Sequence, residues 1–355
     1  MLLDYEYNKL NNAGIIAKNR ELVRVLKGLE TDLASVINHA KIKYPLDYAK
    51  RNVWQINTGL QTQVNKVLEL YSGKIDASIS EGISAQWALA NDKNNLIVDQ
   101  ITSYTPLADP KIVASMQGLN LVALDQFISR KQAGLNLSQR VWNFGVTQNQ
   151  ELLETYLASG ITRGRSAQKI SQDIRGLLNE PDKLFRRVRN NKGELVLSEA
   201  AKKYHPGRGV YRSSARNARR LAATELNMAF HNSDFLRRQS LPFVKGVLVK
   251  LSSGHPIQDI CDAMKGAYPK GFMFEGWHAL CICYTTSIIP SRSEMIAFLK
   301  GEGLDQRKFI RSIPISAKGY IANHATSFNR MKNTPYFLEK NFTKDLKLKK
   351  AVTKR

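Results

Sequence analysis

The stretch CICYTTSII at residues 281–289 decides the type of fold, because it is rich in β-branched residues and ends at Pro290. A second stretch, FVKGVLVKLS at residues 243–252, has apolar residues at alternate positions, which is also typical of a strand. The two stretches flank residues 253–277 and are expected to pair as antiparallel strands around that loop. Elsewhere, apolar residues recur every three or four positions, as on one face of a helix. We therefore expect a mainly α fold with a small antiparallel β hairpin or sheet, an α+β arrangement.

The pattern of apolar and polar residues divides the chain into three regions. Residues 1–136 are expected to form an N-terminal helical domain, in which the last helix breaks near Asn91. Residues 137–290 are expected to form a second domain of short helices followed by the strands, with a basic loop inserted at residues 183–213. Ser166, and Ser213 or Ser214, are expected to cap two of its helices. Residues 291–355 are rich in lysine and poor in strand-forming residues, which predicts an extended basic C-terminal arm.

Composition excludes several classes of protein. The chain of 355 residues is 43% hydrophobic, which is enough to build packed cores. It has no apolar run of about 18 residues, so no transmembrane helix is expected, and its start lacks the pattern of a secretory signal. Three cysteines do not make a disulfide scaffold and indicate reduced thiols. The nucleotide-binding and hydrolase motifs GxGxxG, HExxH and GxSxG, and the P-loop, do not occur.

The formal net charge of +23 is concentrated in two segments. Residues 183–220 hold 12 Lys and Arg against 2 Asp and Glu, and residues 292–355 hold 15 against 5. Charge at this density indicates a polyanionic neighbour such as nucleic acid, an acidic protein surface or anionic lipid, although a solvated basic face is the alternative. The side chains expected to contact the polyanion are Arg186, Arg187, Arg189, Lys202, Lys203, Arg208, Arg212, Arg216, Arg219, Arg220, Lys347, Lys349 and Lys350.

The three cysteines and two of the histidines lie at the two bases of the loop between the predicted strands. Cys281 and Cys283 would face the same side of a strand, and Cys261 could approach them across the hairpin. A tetrahedral zinc is therefore the possible cofactor, with ligands Cys261, His278, Cys281 and Cys283, or with His255 in place of one of them. Two other interpretations stay open: buried thiols and imidazoles without metal, and a disulfide from Cys261 to Cys281 or Cys283.

Residues 137–290 resemble the phage Mu F-like minor head proteins, also called phage head-morphogenesis proteins. The most specific piece is HPIQDICDAMKGAYP at residues 255–269, which contains Asp262. The family carries an Arg-Thr-Glu element on a helix, to which Thr224 and Glu225 correspond. Ala223 stands at the position of the family arginine, so Arg219 or Arg220, one turn earlier, is expected to substitute for it.

The family motif ends on His-Pro-x-Cys-Arg-Cys, and GWHALCIC at residues 276–283 is similar to it. His278, Cys281 and Cys283 match this ending, whereas alanine and isoleucine replace the proline and the arginine. Together with the helical segment that contains LSQRVW at residues 137–142 and GITRGRSAQKISQDIRGLL at residues 160–178, these make four elements in the same order as in the family.

The resemblance implies a non-enzymatic virion component that is present in few copies. Such proteins associate with the portal protein and the capsid interior, assist head morphogenesis and, in some phages, genome ejection. It also implies assembly in the host cytoplasm and a final position inside the virion at the portal vertex, where double-stranded DNA is a further candidate partner and no membrane is involved. The alternative is a DNA-ejected enzyme, a zinc-dependent nuclease or an ADP-ribosyltransferase-like toxin. Residues 291–355 are too short for the toxin domain that some family members carry there.

Overall fold

The computed structural model describes residues 2–43, 53–106, 108–118, 120–162, 165–181, 188–196, 202, 206, 209–255, 258–331 and 333–353. The helices are α1 (Leu2–Asn38), α2 (Val53–Ile56), α3 (Thr58–Thr102), α4 (Pro110–Met116), α5 (Leu121–Ser129), α6 (Leu137–Trp142), α7 (Gln148–Thr162), α8 (Ala167–Ile174), α9 (Ser214–Ser240), α10 (Ile260–Met264), α11 (Arg292–Leu299), α12 (Ile315–Asn323), α13 (Ala325–Arg330), α14 (Tyr336–Asn341) and α15 (Lys350–Thr353). The strands are β1 (Val188–Arg189), β2 (Leu195–Val196), β3 (Gly246–Lys250), β4 (Gly266–Tyr268) and β5 (Tyr284–Ile288). The protein is mainly helical with a small antiparallel sheet, as the sequence predicts.

The long helix α3 runs without interruption through Asn91, so the predicted break at that residue is wrong. The side-chain amide of Asn91 donates to the carbonyl of Trp87 at 3.2 Å, and that of Asn94 donates to the carbonyl of Ala90 at 2.8 Å. Both asparagines are buried, and their side-chain amides are hydrogen-bonded to carbonyls one helical turn earlier. These bonds remove the usual tendency of asparagine to interrupt a helix by bonding to its own backbone. Among the described residues, no helix combines the length and the apolar character needed to cross a bilayer.

The described chain groups into two compact units, each built from segments that are distant in sequence. Unit 1 comprises Met1–Ile16, Glu81–Ala133 and Ala223–Arg355, and unit 2 comprises Ala17–Ser80 and Gly134–Ala222. This grouping differs from the linear order of three domains that the sequence predicts. Helices α1, α3 and α9 contribute residues to both units.

Unit 2 is built from helices with caps that the sequence indicates. Ser166 begins α8 and accepts a hydrogen bond from the Lys169 amide at 3.3 Å, as its position predicts. Ser213 precedes α9 in the same way and accepts from the Arg216 amide at 3.1 Å. The short hairpin of β1 and β2 is the described part of the predicted basic loop, with Arg189 paired to Leu195.

Unit 1 contains the three-stranded antiparallel sheet, in the order β4-β3-β5. The predicted pairing is confirmed, since β3 and β5 align with Val247 opposite Ser287 and Val249 opposite Thr285. Strand β4 was not predicted, because its three residues are too few to show an alternating pattern. The buried alternate residues of β3 place one face of the sheet in the core.

The prediction of an extended C-terminal arm is wrong for residues 291–353. The described residues of this segment form five short α-helices, and most of its buried apolar side chains lie in the same core cluster as Val247, Trp277 and Cys281, whereas Met295 and Leu299 lie in a second cluster. Lysines in this segment alternate with aromatic and aliphatic residues that are buried against the sheet. The ammonium groups therefore remain at the surface, while the apolar side chains pack in the core. The buried side chains from this segment in the cluster are Ile313, Ala317, Ile321, Phe328, Phe337, Leu338, Phe342 and Val352.

A cluster of charged side chains lies inside unit 1. Asp234 on α9 contacts the ammonium of Lys93 at 2.5 Å and also pairs with Arg238. Lys93 lies 3.4 Å from Asp4 of α1, and the Thr285 hydroxyl donates to Asp234 at 3.1 Å. Asp234, Arg238 and Lys93 are each at most 1% exposed. The cluster therefore ties α1, α3, α9 and β5 together through paired charges that have left water.

Candidate functional site

Cys261, Cys281 and His278 come together in unit 1, as the sequence predicts. The Cys261 sulfur lies 3.8 Å from the Cys281 sulfur and 3.2 Å from Nε2 of His278. The donor atoms of Cys261, His278 and Cys281 all lie within 4.8 Å of one another. Cys283, two residues after Cys281, is buried beside this group but is not one of the three. We call Cys261, His278, Cys281 and Cys283 the sulfur–imidazole cluster.

A short capped helix places Cys261 in this cluster. Asp259 begins α10 and accepts from the Cys261 amide at 2.7 Å, while the Asp262 carboxylate accepts from the Asp259 amide at 3.0 Å. These reciprocal bonds form a capping box, which fixes the direction in which the helix starts. The Asp259 bond keeps the pKa of Asp262 below its usual value, because the amide donates to the charged form. The capped helix therefore holds the Cys261 side chain in a buried position, only 1% exposed, close to the Cys281 thiol.

A tight turn from His278 to Cys281 places the His278 imidazole and the Cys281 thiol next to Cys261. The Cys281 amide donates to the His278 carbonyl at 3.1 Å, and Leu280 between them has a φ of 62°, a left-handed conformation that costs energy for leucine. Helix α9 holds the turn in place. Thr224 accepts from the Leu280 amide at 3.3 Å, and Asn227 donates to the Cys281 carbonyl at 3.0 Å.

The three thiols differ in acidity because they share hydrogen bonds. Donation from the Cys261 and Cys283 thiols, and from the backbone amides of Trp277 and Cys283, lowers the pKa of Cys281 well below its usual value. The pKa of Cys261 is raised, first by its hydrogen bonds to the other two sulfurs and then by burial. Cys281 is therefore the sulfur that first carries negative charge, and the cluster prefers a cation nearby.

The remaining predictions for this region have separate outcomes. His255 lies beside the cluster, where its Nε2 contacts the Asp262 carboxylate at 3.0 Å and the Asp259 carboxylate at 3.6 Å. Strand β5 begins at Tyr284, so the prediction that Cys281 and Cys283 share a strand is wrong, although both thiols are buried. All three cysteines are free thiols in this structure.

The family-motif residues on α9 contact the same region. Thr224 supports the turn, as described, and the buried Glu225 carboxylate receives the guanidinium of Arg130 at 2.8 Å. Arg220, one of the two predicted substitutes for the family arginine, lies over the ring of Tyr211 at 4.8 Å, and Arg219 is exposed. No local pattern indicates the contact of Arg130 with Glu225, because 95 residues separate the partners.

The predicted polyanion-binding residues of the first basic segment lie in unit 2. Arg216, Arg219 and Arg220 share one face of the first turns of α9, at three- and four-residue spacing. Arg216 and Arg219 are exposed, and within the described part of the chain neither has a carboxylate partner. Positive charge at this helix end opposes the helix dipole, which an anion would relieve. Of the other members, Arg189, Lys202 and Arg212 are described at the surface or partly buried, while Arg186, Arg187, Lys203 and Arg208 lie outside the described residues.

The C-terminal members of that set lie in unit 1. Lys347 and Lys350 are exposed, and the Lys349 ammonium donates to the Glu339 carbonyl at 2.5 Å. They are carried by the folded segment before and within α15, so they form a fixed surface group.

Compared with known proteins, the chain matches no protein-family model, no curated protein and no solved structure.

Proposed function

We propose that this chain is a structural minor head protein of a bacteriophage, of the phage Mu F-like type. It lies in few copies inside the capsid at the portal vertex, contacts the portal protein and packaged DNA, and assists head assembly in the host cytoplasm. One observation carries the proposal: three of the four segments that resemble the family, all in unit 1, meet in space. The helix with Thr224 and Glu225, the run at residues 255–269 and the ending at residues 276–283 contact one another through the bonds described above.

The arrangement supports a scaffold role. A buried network of charges and a capped loop hold the sheet of unit 1 rigid. Cationic side chains are presented from fixed elements, Arg216 and Arg219 on α9 and Lys347 and Lys350 near α15. Exposed cations on folded elements of either unit would bind the phosphate groups of a nucleic acid, without base-specific contacts.

The test of the virion role is mass spectrometry of particles produced from a genome that encodes the chain. We expect peptides of the chain in purified procapsids and in mature virions, at a few per cent or less of the major capsid protein. Particles from a genome with a stop codon in this gene are the matched control and should lack the signal. Absence of the chain from procapsids and virions alike would contradict the proposal.

DNA binding is expected to weaken steeply with salt, and the α9 arginines should contribute to the slope. Each lost phosphate contact reduces the slope of log K against log salt by about 0.9, so the double variant Arg216→Gln with Arg219→Gln should lose up to about 2. The matched control, Lys27→Gln with Lys66→Gln, removes the same charge from exposed positions on α1 and α3. Fluorescence anisotropy with a labelled duplex measures both. A flat salt response, or equal losses in the two double variants, would rule out this binding surface.

A further inference from the structure

We propose that the sulfur–imidazole cluster is a structural zinc site, with Cys261, His278, Cys281 and Cys283 as its four ligands. The inference stands on the geometry of the cluster and does not depend on the proposed role in a virion. Three thiolates and one neutral imidazole are a ligand set that closes the tetrahedral coordination of zinc and leaves no open position for a substrate. The site is therefore structural.

The distances between donor atoms fit one metal ion. Zinc bonds of about 2.3 Å to sulfur place two sulfurs of a tetrahedron about 3.8 Å apart, and the Cys261 and Cys281 sulfurs are 3.8 Å apart. The 3.2 Å between Cys261 and Nε2 of His278 is slightly shorter than the corresponding sulfur–nitrogen edge, so a small rotation of the ring suffices. Cys283 lies outside the group of three donor atoms that are within 4.8 Å of one another, but it is buried two residues after Cys281, so its side chain would turn toward the metal to supply the fourth ligand.

The imidazole is already held in the form that binds metal. Nδ1 of His278 lies 2.8 Å from the carbonyl oxygen of Ala279, which can only accept a hydrogen bond. Nδ1 therefore carries the proton, and Nε2 faces the Cys261 sulfur at 3.2 Å, with the Asp259 carboxylate beside it at 3.3 Å. A ligating histidine commonly has its second nitrogen fixed by a carbonyl or a carboxylate in this way, which orients the ring before the metal arrives.

His255 is assigned a different role, although it lies in the same loop. Its Nε2 is 3.0 Å from Asp262 and 3.6 Å from Asp259, the two carboxylates of the capping box. His278 also contacts Asp259, at 3.3 Å, but its Nε2 additionally lies 3.2 Å from the Cys261 sulfur, whereas the contacts of His255 Nε2 are to the two carboxylates. His255 thus supports the start of α10, and through it the position of Cys261.

Zinc binding exchanges the protons of the thiols for the metal ion. Each of the three thiols releases its proton to solvent, and the imidazole binds through its lone pair and releases none. The product carries a net charge of −1 at the ligands, next to the amides of Trp277 and Cys283 that donate to the Cys281 sulfur. The metal would lock the His278–Cys281 turn, with its left-handed Leu280, onto α9.

The experiment is metal analysis of the purified full chain, prepared with a reductant and incubated with Zn²⁺ before free metal is removed. We expect about one zinc per chain, and after replacement by Co²⁺ the visible and near-ultraviolet bands of tetrahedral thiolate coordination. Cys283→Ser and His278→Gln should weaken Co²⁺ binding by more than about 100-fold, beyond the loss typical of an outer-shell change. His255→Gln, an outer-shell change, should weaken it by less than about 100-fold, and His39→Gln, at an exposed position on the other unit, is the matched control and should leave it within about twofold.

Several results would overturn the site. One is a reduced chain that retains no zinc, a result that needs no variant and so does not depend on how variants fold. Another is a Co²⁺ complex without thiolate bands. Equal weakening of Co²⁺ binding by His255→Gln and His278→Gln would reject this ligand set. A Cys261–Cys281 disulfide, detected by non-reducing mass spectrometry of freshly lysed cells, would show that a covalent bond joins the two sulfurs in place of a metal.

Discussion

Replacing Asp234 with asparagine is expected to lower the free energy of unfolding by about 3–5 kcal/mol, which is the usual cost of breaking a buried ion pair from one side. Asparagine has nearly the same shape, so packing is preserved while the charge is lost. Arg238 and Lys93, both at most 1% exposed, then keep their positive charges without the carboxylate that lies between them. Asp4 lies 3.4 Å from Lys93, so it compensates the positive charge of Lys93 but not that of Arg238.

Urea unfolding followed by circular dichroism at neutral pH measures this loss. The matched control is Asp305→Asn, which removes a carboxylate from a surface pair with Arg307 at 3.1 Å and should leave the unfolding midpoint unchanged. A midpoint for Asp234→Asn that equals that of the unsubstituted chain would show that the buried charges are dispensable.

The same substitution predicts a change in acid sensitivity. Burial alone would raise the pKa of Asp234, but the charges of Arg238 and Lys93 outweigh it and hold that pKa well below its usual range. A carboxyl with a lowered pKa in the folded state stabilises the fold above its unfolded pKa of about 3.9, and this contribution is lost as the pH falls through the folded value. The stability gap between the unsubstituted chain and Asp234→Asn should therefore narrow below about pH 4.

Local patterns were sufficient to predict the elements whose signal is periodic. Strands β3 and β5 show the alternation or β-branched content of strands, and Ser166 and Ser213 occupy cap positions before helical stretches. The meeting of Cys261 with His278 and Cys281 followed from the same hairpin, because paired strands bring the two bases of their loop together. These features depend on residues that are close in sequence, or on one pairing of strands.

The features that the sequence did not predict depend on distant partners. Helix α9 carries Asn227, His231 and Asp234 in a stretch that is buried on every side, whereas a polar stretch of this kind ordinarily indicates an exposed face. Lys93, on another helix, forms an ion pair with the Asp234 carboxylate, and no local sequence pattern indicates that pairing. Arg130 likewise reaches Glu225 from a separate segment. Such contacts appear only when the helices are packed.

Replacing Phe337 with alanine is expected to lower the free energy of unfolding by about 3–5 kcal/mol, as large-to-small changes in cores do. The Phe337 ring is 2% exposed, its centroid lies 5.5 Å from that of Trp277, and Phe328 is its other aromatic neighbour at 6.1 Å. Trp277 belongs to the segment between the sheet strands, so the cavity would open between the C-terminal helices and the core of the sheet. An extended, solvated arm would lose nothing from this change.

The control for this prediction is Ile315→Ala, from a side chain of the same C-terminal segment that is 87% exposed, and it should change stability by less than about 0.5 kcal/mol. Urea unfolding followed by circular dichroism, with tryptophan fluorescence, to which Trp277 contributes along with the three other tryptophans, as a second probe, compares the two variants at neutral pH. Both probes should move to lower denaturant for Phe337→Ala, because the C-terminal helices and the sheet share one core and unfold together. Equal midpoints for the two variants would mean that residues 291–353 hold no part of that core, and the basic segment would then be the free arm that its composition suggests.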